Sequence, residues 1–235
     1  MKRLVYLVFA FILTVPMSAY AATAETSTFA AQKENEYSQE YYDKIIEELS
    51  NEYGLEIRQG MPNDIDGKTT QLLNNQAKEN KQLTPDEFEK FLREELEKIS
   101  LHNQKVKEKY EETGDSLEKA QWFPCGENSN QARMKSCIID KKYKGGLNDN
   151  TVKGHLEGII DNSYGYWTFN QVDATSATWM TLNSTYNSKT YTNKFIDGRR
   201  TSAVTYNGYV YYATGNFTVY DVKEYVEYYA SEGAW

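Results

Sequence analysis

Apolar residues follow two rhythms along this chain. Tyr41, Tyr42, Ile45, Ile46, Leu49 and Tyr53 fall on one helical face, which predicts an amphipathic helix over 37–53 ended by Gly54. A longer stripe of Phe88, Phe91, Leu92, Leu96, Ile99, Val106 and Tyr110 predicts a second helix over 84–111. Its start is written as Thr84-Pro85-Asp86-Glu87: Thr as N-cap, Pro at the first helical position and Glu closing a capping box. The two helices are expected either to pair with each other or to set the longer one across a sheet. Between them, Gly60, Pro62, Gly67 and a polar run predict a loop over 55–80, with Ile57, Ile65, Leu72 and Leu73 as docking points.

From residue 131 the rhythm changes to short runs rich in Val, Ile, Thr, Tyr and Trp, separated by turn signals. Seven or eight strands are expected, near 131–143, 151–160, 164–172, 174–183, 189–196, 201–206, 209–213 and 217–229. Asn207-Gly208 is the clearest turn signal, because it tolerates the positive φ pair of a two-residue hairpin. Asp221-Val222-Lys223-Glu224 leaves the last run open to a short helix through a capping box, although its Phe, Thr, Val and Tyr content favours a strand. The expected fold class is α+β: an N-terminal region of two amphipathic helices, then an antiparallel β-sandwich or barrel-like domain.

The chain ends of these regions follow from composition. Lys2 and Arg3, the apolar run Leu4–Leu13 and Ala19-Tyr20-Ala21 have the form of an export signal, cleaved after residue 21. Residues 22–36 read as a disordered mature terminus, 37–115 as an acidic helical region and 116–235 as the β-domain. Residues 22–121 hold 23 acidic against 13 basic side chains, whereas 122–235 hold 11 of each, which supports that division. An acidic half and a neutral half argue against nucleic acid as a partner. A mean hydropathy of −0.74 excludes a multi-span membrane protein. An exported chain with two cysteines is expected to join Cys125 to Cys137 in a short-loop disulfide.

Candidate chemistry is sparse. Two Cys and two distant His give no zinc spacing, and Asn63-Asp64-Ile65-Asp66-Gly67 resembles a calcium loop in the wrong register, since Pro62 and Leu73 fall at ligand positions. No metal and no cofactor are expected. His102, beside the long helical stripe, reads as an interface histidine. A Cys–His155 nucleophile would be lost to the disulfide, and Glu157, Asp161, Asp173, Asp197 and Asp221 are mostly placed as turn residues rather than as a glycosidase pair. The aromatic load is more informative. Tyr164, Tyr166 and Trp167, with Tyr209 and Tyr211, lie in strands carrying aromatics on both faces, only one of which a core can absorb. These five residues are the expected ligand contacts of an exported, non-catalytic binding module for envelope glycan or a surface protein. A bacteriocin-like or toxin-like antagonist and an extracellular glycoside hydrolase are the alternatives.

Overall fold

The computed structural model describes residues 38–79, 83–113, 134–163 and 165–234. The expected signal 1–21, the terminus 22–36, Cys125 and Tyr164 lie outside them. Helices α1 (Gln39–Tyr53) and α3 (Pro85–Glu112) form where the apolar stripes predict them. The capping box is in place: the Thr84 hydroxyl accepts from Glu87 N at 3.3 Å, and the Glu87 carboxylate accepts from Thr84 N at 2.9 Å.

The expected loop 55–80 contains two further elements, strand β1 (Ile57–Gln59) and helix α2 (Gly67–Glu79). Thr69 donates to the Asp66 carboxylate through its hydroxyl and its backbone N–H, and Lys68 N adds a third bond. These bonds hold Asp66 below the usual carboxylate range and fasten the start of α2. The Asx-rich segment is therefore a helix entry. Ile57, Ile65 and Leu73 dock as expected, whereas Leu72 is exposed.

Six longer strands follow: β2 (Lys135–Lys144), β3 (Thr151–Asp161), β4 (Thr168–Met180), β5 (Ser184–Ile196), β6 (Thr201–Tyr212) and β7 (Phe217–Tyr229). With β1 they make one seven-stranded antiparallel sheet, in the order β1-β7-β6-β5-β4-β3-β2. The sheet is open, neither a two-sheet sandwich nor a closed barrel. Its core lies between one sheet face and the helices: Phe88, Leu92, Leu96 and Ile99 of α3, with Tyr42 and Leu49 of α1, pack against Val152, Leu156, Val204, Val210, Phe217 and Val226. Among the described residues, helices and sheet thus share one core. The sheet curls enough for β3 to meet β7, since a Cβ on Gly154 would stand 2.1 Å from the Tyr228 hydroxyl.

Asn207-Gly208 is not a turn. It lies inside β6, where both neighbouring strands bulge opposite it: β5 passes from Ser188↔Gly208 to Thr190↔Asn207, and β7 from Gly208↔Val222 to Tyr209↔Tyr220. Asp221, the extra residue of β7, has φ 60° and accepts from Asn207 Nδ2 at 3.1 Å. Asp173 is likewise an extra residue within β4, opposite Glu157 and Gly158 of β3. Bulges and turns favour the same residue types, so two expected breaks became irregularities in continuous strands. The last run, 217–229, is a strand.

Both sheet margins are covered. Beyond its three pairs with β1, β7 meets α3, where Asn103 Nδ2 donates to Asp221 O at 2.9 Å and Asn103 Oδ1 accepts from Lys223 N at 2.8 Å. One side chain thereby imitates the bonding of a neighbouring strand. On β2, Lys135 donates to Ala234 O and Lys141 pairs with Glu232 at 2.9 Å, both in the 3-10 turn Ala230–Ala234. Asn103→Ala is expected to lower stability by about 1–2 kcal/mol, read as a lower urea midpoint, because two β7 backbone groups lose their partner.

Candidate functional site

The five expected contact residues separate into two groups. Tyr209 and Tyr211 are buried, at 0% and 1% exposure, in a cluster with Ile65, Leu73 and Met61. Tyr209 donates to Asp64 at 2.9 Å, Tyr211 donates to Asn216 at 3.1 Å, and burial raises both phenols. They are core, not a binding face. Residues 61–73, expected as part of a loop, supply the cover that an aromatic strand face requires.

Tyr166 and Trp167 stand elsewhere. Tyr166 is 44% exposed and Trp167 half-buried, in the connection leading into β4. The Arg200 guanidinium lies 5.8 Å from the Tyr166 ring centre and Lys135 Nζ 5.0 Å from that of Trp167. The turn 197–200 is tied to the same place: Phe169 N donates to Arg199 O at 2.7 Å, Arg199 Nε returns a bond to Phe169 O at 2.7 Å, and Arg200 Nε donates to Asp197 O at 2.9 Å. Two aromatic rings and two positioned cations therefore share one end of the sheet.

The other candidates are dispersed. Cys137 is buried, which raises its thiol, and it forms no disulfide among the described residues; its expected partner Cys125 lies outside them. Cys137 of β2 points into the core and His155 of β3 sits on the opposite face of the sheet, so Cys137 and His155 form no catalytic arrangement. Asp140 meets His155 Nδ1 at 2.7 Å and Glu157 meets Nε2 at 3.1 Å. Their bonds raise the imidazole's affinity for its proton, but carboxylates on opposite nitrogens cannot converge on one ion. No group of three potential ligands capable of holding a metal occurs among the described residues. Asp161 closes a turn on Ser163, and Asp197 accepts from Thr201 beside its own turn.

The least legible feature is a buried carboxylate. Glu224 of β7, 1% exposed, accepts at Oε1 from Trp179 Nε1 at 2.7 Å and from Leu147 N at 3.0 Å, and meets His102 Nε2 at Oε2 at 3.0 Å. One residue thereby joins β7, β4, α3 and the loop after β2. Tyr186 stacks on Trp179 with centroids 6.0 Å apart, and burial, with Glu224 nearby, keeps its phenol well above the ordinary value. His102 is an interface histidine, as its place beside the stripe suggests. Glu224 carried a signal of its own, a charge among Val222, Val226 and Tyr228 at the inward positions of a strand.

These elements define an α+β protein whose single curled antiparallel sheet wraps helical cover around a polar hub, with an aromatic and cationic end. No protein-family model, curated protein or solved structure matches the chain.

Proposed function

We propose that this chain is an exported, non-catalytic binding protein that recognises an acidic glycan of the cell envelope through Tyr166 and Trp167, with Arg200 and Lys135 beside them. The observation that carries this reading is the exposure of Tyr166 next to half-buried Trp167 while cations lie over both rings. A cation held against an aromatic ring restricts its motion and adds charge that a carboxylate- or phosphate-bearing sugar can use. Export rests on the Lys2-Arg3, Leu4–Leu13 and Ala19-Tyr20-Ala21 pattern. No helix among the described residues is long and apolar enough to cross a membrane.

The test is co-sedimentation of the intact chain with insoluble cell-wall material, before and after enzymatic removal of the glycan. Binding is expected only with the glycan present. Tyr166→Ala should weaken it about tenfold, the loss of one stacked ring. Equal binding after glycan removal, or an unchanged Tyr166→Ala affinity, would sink the reading.

A further inference from the structure

Strand β2 ends the sheet and pairs within it only with β3. On its inward side Lys135 and Lys141 tie it to the 3-10 turn Ala230–Ala234. On its outward side the register sets Asp140 of β2 directly opposite His155 of β3, and Glu157 follows two residues along β3 on the same face. Asp140 Oδ1 lies 2.7 Å from His155 Nδ1, and Glu157 Oε1 lies 3.1 Å from Nε2, so one imidazole spans both strands. The backbone of His155 is held from the next strand, where the Thr175 hydroxyl of β4 donates to His155 O at 2.6 Å.

Both carboxylates can only accept, whereas a neutral imidazole carries a single N–H. The two contacts are therefore satisfied together only by the imidazolium, with both ring nitrogens donating. Loss of the proton leaves a ring lone pair facing a carboxylate oxygen, and one contact turns from attraction to repulsion. The other charges around the ring are Lys142 and Lys153, cross-strand partners one row along, and Asp173, the extra residue of β4 opposite Glu157. The lysines oppose the ring's charge and Asp173 favours it, but the hydrogen bonds to the ring come from Asp140 and Glu157. Ser176 and Thr178, the β4 residues beside them, carry no charge.

We propose that Asp140, His155 and Glu157 form a proton-operated latch on the edge pair β2–β3, closed by the imidazolium and released when the ring becomes neutral. The bond to Asp140, and then that to Glu157, hold the proton more firmly than an ordinary imidazole does. A proton held more firmly in the folded chain stabilises it fully below the unfolded midpoint of about 6.5, and this contribution is lost as pH rises through the higher folded midpoint. β2 is thus pinned on both faces in mild acid, and on its inward side alone above the folded midpoint. The latch lies in the sheet itself and does not depend on what Tyr166 contacts.

The experiment follows the imidazole nitrogen resonances and the β2 amide exchange of the full chain from about pH 5 to about pH 9. His155 is expected to carry protons on both nitrogens up to a midpoint above about 6.5. That midpoint should fall in Asp140→Asn and in Glu157→Gln, exposed positions where the substitution preserves side-chain size. After correction for the intrinsic exchange rate, β2 protection should drop about fivefold as pH passes the midpoint, the scale of a partly exposed ion pair, and should stay level in His155→Gln. Three results would each overturn the inference: a single N–H on His155 at about pH 6, a midpoint unmoved by either carboxylate substitution, or β2 protection that falls equally in His155→Gln.

Discussion

Glu224→Leu is expected to destabilise the protein by about 3–5 kcal/mol, the scale of breaking a buried charge network by removing one partner. Leucine fills the space but leaves Trp179 Nε1–H and Leu147 N–H without an acceptor and frees His102 from β7. Urea unfolding should show a much lower midpoint at an unchanged slope. Glu224→Gln should fall between the two, because its amide oxygen still accepts at one end while its NH₂ faces donors at the other. Equal stability of Glu224→Leu and the parent would mean that the carboxylate does not hold these elements together.

Gly208→Ala is the second large effect. Its Cβ would stand 2.1 Å from Asn187 O and 2.8 Å from Ser188 Cα, both backbone atoms of β5. No side-chain rotation relieves that contact, so two central strands must separate, at a cost of about 3 kcal/mol. The same substitution in an exposed hairpin turn would leave β5 undisturbed. Thermal or urea unfolding of this variant therefore reports directly on whether Asn207-Gly208 lies within β6.

Helices α1 and α3 were legible because each carries a continuous apolar stripe, and α3 also carries its own start signal in Thr84-Pro85-Asp86-Glu87. β1 and α2 were not, because three residues are too few to show alternation and α2 is polar along most of its length. That omission had a direct consequence for the site. Without α2 and its approach segment, Tyr209 and Tyr211 read as surplus surface aromatics, whereas Ile65 and Leu73 cover them. The strand content of 131–229 was legible from β-branched and aromatic runs, but not whether the strands closed. An open sheet covered by helices and a sandwich need the same alternation, and differ in what lies on the inner face. His102 and Glu224 are 122 residues apart, and no local pattern joins them.

In the proposed function, ligand contact falls on exposed Tyr166 and not on buried Tyr209 or Tyr211. Tyrosine-selective nitration of the intact chain, free and bound to cell-wall glycan, with the modified residues identified by peptide mass, tests it most directly. The predicted result is modification of Tyr166 in the free protein, its protection on binding, and no modification of Tyr209 or Tyr211 in either state. Bound protein whose Tyr166 remains as reactive as in the free chain, or a free protein whose Tyr209 and Tyr211 are readily modified, would contradict it.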